Sequence, residues 1–150
     1  MKKLAVFISV LILIFTACKP GINMEITKVK LEQFVKDYIE TWSTKNSNER
    51  QRLIEKVYSP SANFYANEPG DDAVELQGWN KIFENITQVN KRLVVDNELI
   101  TELTGFSENH NTLRVSWQMK TPKGEVVMKG MNFLKLNNSG KIEKDYIYIN

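Results

Sequence analysis

A single cysteine and a single histidine in 150 residues remove several chemistries at once. With only Cys18, no disulfide can form within the chain, so stability has to come from packing. The same count excludes a thiolate metal site or a cysteine nucleophile in the body of the domain. His110 lies in Ser107-Glu108-Asn109-His110-Asn111, a polar stretch that reads as an exposed turn, and no serine is placed to complete a Ser-His-Asp triad around it. An excess of one charge also fades on inspection. Of the 20 Lys and Arg, two are Lys2 and Lys3, and residues 18–150 carry 18 against 18 Asp and Glu. No basic stripe remains for a nucleic acid. The apolar run from Leu4 to Phe15 is well short of the ~20 residues of a membrane-spanning helix.

What the first eighteen residues do contain, MKKLAVFISVLILIFTAC, is a positive n-region, a short apolar h-region and small residues before a cut, which is the pattern of a secretory signal. The segment resembles a bacterial lipoprotein signal, in which cleavage falls just before a cysteine that is then acylated. That resemblance implies a signal peptide over 1–17, lipid on Cys18, a tether over 18–26 and a domain over 27–150, held at a membrane in the cell envelope and facing outside the cytoplasm. Pro20 and Gly21 suit the tether.

From Glu25 to Trp42 the residues Leu31, Phe34, Val35, Tyr38, Ile39 and Trp42 recur at the spacing of one helix face. Asn46 with Glu49 forms a capping-box pattern before a second, shorter helix carrying Leu53, Ile54 and Val57, stopped before Pro60. Ala62 to Ala66 reads as a strand, and Pro69-Gly70 opens an acidic loop of Glu68, Asp71, Asp72 and Glu75. Trp79, Ile82, Phe83, Ile86 and Val89 lie on one stripe of a third helix. Strands are then expected over Leu93–Leu103, Thr112–Lys120, Glu125–Leu136 and Lys141–Ile149. Helices before an antiparallel meander indicate an α+β domain with three helices on one face of a curved sheet. The acidic loop lacks the spacing of a calcium-binding loop and no histidine is near it, so neither metal nor cofactor is expected.

The order of elements resembles the nuclear transport factor 2-like fold, also called the SnoaL-like or cystatin-like cone. The likeness is carried by VKDYIETW, by the passage from Tyr58 through SANFY, by QGWNKIFENI and by the ending FLKLNNSGKIEKDYIYIN. It implies a sheet curled around the long helix, with a cavity lined by Tyr38, Trp42, Trp79 and Phe83 from the helices and by Trp117, Met119, Met128, Asn132 and Leu134 from the strands. Whether these side chains fill the core or leave an open pocket stays undecided in the sequence.

Ketosteroid isomerase, a member of that fold, needs a carboxylate base and an oxyanion hole of a tyrosine and an acid. Matching the motifs places Tyr38 at the tyrosine, Asn132 at the acid and Ala66 at the base. Alanine cannot accept a proton, so that activity is not expected. The replacement candidate is Asp145, which the resemblance turns toward the cavity with Ile147 and Ile149; the opposite parity would turn Ile142, Tyr146 and Tyr148 inward instead. Three readings follow: a lipid-anchored, non-catalytic domain binding a small apolar ligand or a protein partner; an envelope enzyme of cyclase or dehydratase type using Asp145, Tyr38 and Asn132; and a module that pairs with a second copy through the outer sheet face carrying Val127, Met131 and Phe133.

Overall fold

The computed structural model describes residues 28–66 and 73–150. The expected signal peptide over 1–17, the expected lipidation site Cys18, the expected tether and three residues of the acidic loop, Glu68, Asp71 and Asp72, lie outside the described residues.

Helix α1, Lys28–Ser43, buries Leu31, Val35 and Tyr38 and half-buries Phe34, Ile39 and Trp42, the expected stripe. Helix α2, Ser47–Val57, starts where Asn46 Oδ1 accepts from the backbone N–H groups of Asn48 and Glu49, at 3.0 and 3.1 Å. The capping box is half made, because Glu49 turns outward to Arg52 at 2.6 Å instead of returning to Asn46. Strand β1, Tyr58–Ala66, follows without a loop and begins four residues earlier than expected. Its pairing slips between Tyr58 and Asn63, and that irregularity accommodates Pro60, which has no N–H to donate to a ladder.

Strand β2, Val74–Gln77, pairs antiparallel with β1 and was not expected. Gly78 then turns the chain into helix α3, Trp79–Asn90, at φ 88°, a value that glycine adopts without strain. The chain next departs from expectation: Lys91–Asp96 is a π-helical continuation of α3, not the start of a strand. Leu93, Val94 and Val95 have strand propensity, but burial of Val94 against Trp117 and Met119 overrides it. Strands β3 (Ile100–Asn109), β4 (Thr112–Lys120), β5 (Val126–Leu136) and β6 (Ile142–Ile149) complete the chain. His110 and Asn111, at φ 48° and 60°, form the exposed β3–β4 turn.

The result is α+β: among the described residues three helices pack on one six-stranded sheet of order β2-β1-β6-β5-β4-β3. The sheet is not wholly antiparallel, since β1 and β6 run parallel. A filled core joins α1, α2 and α3 to β1, β4 and β5. A smaller cluster of Val94, Trp117 and Met119, with Leu93, Leu99 and Met128 against it, sits toward the π-helical segment. The space between the two clusters is not fully filled. Among the described residues no helix is long and apolar enough to cross a membrane.

Candidate functional site

The incompletely filled space is a cavity of about 80 Å³ measured to the centre of a water-sized sphere. That is roughly half of the ~150 Å³ of an apolar cavity that takes up one benzene, and its lining runs out to the exposed Arg92. Both answers to the question left open by the sequence are therefore present, at different places. Tyr38, Trp42, Trp117, Met119, Met128 and Asn132 line the cavity, together with Ile39, Phe64, Leu93, Thr101 and Ile147. Trp79 and Phe83 do not. They pack against the filled core, and Trp79 donates its indole N–H to the Tyr58 carbonyl at 3.1 Å while Lys141 lies over its ring. Leu134 is wholly buried in that core as well.

Gly130 makes the wall beneath Trp117 possible. The two residues face each other across β4 and β5, and a Cβ on Gly130 would stand 2.8 Å from the indole Cη2 and 2.6 Å from the Tyr148 carbonyl. Only a residue without a side chain lets the ring lie across the strand. At the far end of α1, Asn90 donates to the carbonyls of Trp42 and Thr44, at 2.6 and 3.1 Å, and so fixes Trp42 against α3.

Behind the cavity wall lies a continuous polar network. Trp117 Nε1 donates to Asn132 Oδ1 at 2.8 Å, and Asn132 Nδ2 donates to Asp145 Oδ1 at 2.7 Å. The hydroxyls of Tyr38 and Tyr58 both donate to Asp145 Oδ2, at 2.9 and 2.6 Å. Asp145 takes the inward parity and has no exposed surface, while Tyr146 and Tyr148 face the other side of the sheet, where Tyr146 stacks on Tyr65. The sequence reading brought Asp145, Tyr38 and Asn132 together but missed Tyr58. Its position four residues after the buried Ile54 was a usable signal, because it continues the inward stripe of α2.

Burial raises the Asp145 carboxyl from the ordinary 3.8 to about 6, against the pull of the hydrogen bonds from Tyr58, Asn132 and Tyr38. Burial also pushes both tyrosine hydroxyls well above their ordinary value, and the facing carboxylate adds to the effect. At neutral pH the centre is therefore an aspartate held by three neutral donors. Asp145 is not on the cavity wall; Tyr38 and Asn132 stand between it and the open space.

Among the described residues, two buried atoms on the lining residues have no hydrogen-bond partner. These are Trp42 Nε1 and Thr101 Oγ1. Trp42 Nε1 lies near the Tyr38 oxygen without reaching hydrogen-bond geometry. Among the described residues no three histidine, cysteine or acidic side chains converge on a metal-sized space.

A helix-backed, curled sheet with a cavity beside its long helix defines the nuclear transport factor 2-like, or SnoaL-like, cone. Solved structures agree. A member of the SnoaL-like family from Agrobacterium tumefaciens superposes with a TM-score of 0.69 at 18% identity, over 79% of this chain and 96% of that one. A SnoaL-like protein of unknown function from Burkholderia thailandensis gives 0.63 at 12% identity, over 83% and 98%. A nuclear transport factor 2-like protein of unknown function from an Exiguobacterium gives 0.56 at 19% identity, over 78% and 98%. At such identities the likeness establishes the fold alone. No family model matches the chain, and no curated protein is detectably similar to it.

Proposed function

We propose that the protein is a lipid-anchored domain of the cell envelope that takes a small, mainly apolar molecule into its cone cavity and releases it unchanged. The observation that carries this reading is the arrangement of the cavity: walls of Trp42, Phe64, Trp117, Met119 and Met128, with Asp145 held behind them. A base must reach the proton it removes. Asp145 already accepts three hydrogen bonds and has no exposed surface, so it orients Tyr38 and Asn132 and does not itself meet a ligand. The anchor rests on the leader sequence ending at Cys18.

Native mass spectrometry of the protein extracted from its own membranes tests both halves. Lipid mass on the Cys18 peptide together with a co-purifying small molecule supports the reading. An unmodified Cys18 removes the anchor, and a chemically altered ligand recovered after incubation removes the binding-only role.

One observation favours the enzyme reading, in which Tyr38 and Asn132 touch a substrate and Asp145 tunes them. The three are joined by direct hydrogen bonds, and the carboxyl sits near 6, in the working range of an acid or base. A different face suits a second copy of the chain. Val127, Phe133 and Tyr148 are exposed on the outer side of the sheet, and Met131 and Tyr146 lie among them. Light scattering that gives twice the mass of the chain, and the single mass for Phe133→Lys, is the outcome expected of that pairing.

A further inference from the structure

Resting on the reading of the cavity as a binding site, we propose that its occupant is a single-chain anionic amphiphile, whose apolar chain enters the cavity while its anionic oxygen group stays at the mouth on Arg92. Arg92 is the one charged residue of the lining, and it is exposed, so its guanidinium is open to a group that emerges from the cavity. It forms no ion pair among the described residues. Asp96, the nearest acid in sequence, is held by Lys91 at 2.7 Å. The local backbone brings this cation to the mouth. Where α3 widens into its π-helical continuation, the consecutive residues Arg92, Leu93 and Val94 all contribute to the lining. Such widened turns recur at functional sites. Val94 is buried, Leu93 half-buried and Arg92 exposed, so the wall passes from apolar and enclosed to charged and wet along this short run. An arginine stem lies well against an apolar rim while its planar head stays in water, where it can take two oxygens of one anion at once.

The inner end of the cavity decides which way round the molecule lies. There Tyr38 and Asn132 cover the Asp145 carboxylate, and the lining offers no second cation to balance another anion beside it. An anionic group therefore has one favourable place, the mouth, and the walls of Trp42, Phe64, Trp117 and Met128 receive the chain. The volume decides how many chains enter. At about 80 Å³ the space is smaller than the ~150 Å³ that takes up one benzene, so it suits one slender chain and not the two of a membrane phospholipid.

Equilibrium dialysis of the full-length chain in zwitterionic nanodiscs, with empty nanodiscs as the blank, tests this with hexanoate, hexanol and hexylamine, three heads on one length of chain. At low salt Arg92→Gln should weaken hexanoate binding about threefold to fivefold, the range of an exposed ion pair, and leave hexanol binding unchanged. Arg92→Lys keeps the charge without the planar fork and should fall between the two. Salt at about 0.5 M should remove most of the difference between wild type and Arg92→Gln. Hexylamine should bind more weakly than hexanol. Hexanoate that binds wild type and Arg92→Gln alike, with hexanol still bound, overturns the role of Arg92 and leaves the apolar cavity standing. Tightest binding of hexylamine overturns the assigned charge. If phosphatidylglycerol in the nanodisc abolishes the effect of Arg92→Gln on hexanoate, the guanidinium belongs to a lipid headgroup at the membrane surface and the proposal falls. No binding of any probe overturns the cavity reading together with the inference.

Discussion

Raising the pH from 4 to 7 should destabilise the domain through one residue, Asp145. Its carboxyl has an ordinary value of 3.8, which the unfolded chain restores, and about 6 in the folded protein. Between those values the folded state holds a proton that the unfolded state has lost. Stability then falls with rising pH, because the slope follows the protons bound unfolded minus those bound folded. The contribution is fully present below 3.8 and is lost as pH rises through about 6. At 1.36 kcal/mol for each tenfold change, the whole loss is roughly 3 kcal/mol. Other carboxylates work in the opposite direction over the same range; Glu49 and Glu102 are both held below their ordinary value by Arg52 and Lys120. Asp145 therefore has to be isolated by difference. Urea unfolding of the wild-type chain and of Asp145→Asn, measured at intervals from pH 4 to 7.5, should give a difference in stability that shifts toward the variant by roughly 2.5 kcal/mol across the series, most of the whole loss. A carbonyl band of a protonated acid that disappears near pH 6 in the wild type alone would locate the same event by infrared spectroscopy. A difference that stays flat, or that moves toward the wild type as pH rises, refutes the account of Asp145 as a carboxyl raised by burial.

Tyr58→Phe deletes one of the three donors to that carboxylate, and should cost roughly 1.5–3 kcal/mol at pH 7.5 and less at pH 4, where the acid is neutral; urea midpoints at the two pH values decide it. Gly130→Ala puts a methyl group into the space of the Trp117 ring and the Tyr148 carbonyl, and a loss of about 1–3 kcal/mol by thermal or urea unfolding is expected, with a changed tryptophan emission because Trp117 has to move. Asn46→Ala removes the α2 cap and should cost about 1 kcal/mol, while Asn46→Ser should recover most of it.

The helices were legible because each carries an unbroken apolar stripe, and the stripe alone put Tyr38 and Trp42 on the inner face. The strands after residue 100 were legible by alternation, which grouped Trp117 with Met119; Asp145 was turned inward only by the family resemblance, because alternation in the last strand allows either parity. What escaped depends on partners distant in sequence. Val74–Gln77 is a strand only because β1 offers it an edge, and its own four residues are exposed or half-buried with no strong pattern. Lys91–Asp96 continues α3 because Val94 is needed against Trp117, some two dozen residues later. Trp79 and Phe83 share the spacing of true lining residues, but the indole of Trp79 is turned away by its bond to the Tyr58 carbonyl. A periodic pattern reports which face is inward and not whether that face meets a neighbour or a void.

The parallel pairing of β1 with β6 sets the order in which this domain can be completed. Strand β6 lies between β1 and β5 near the middle of the sheet, yet it is the last of the six in chain order. Until residues 142–149 have been synthesised, β1 and β5 both present open edges, and Tyr38 and Tyr58 have no carboxylate to hold. Such long loop closures slow folding. A chain without residues 142–149 therefore lacks both the strand that joins the two parts of the sheet and the carboxylate that holds the polar centre together.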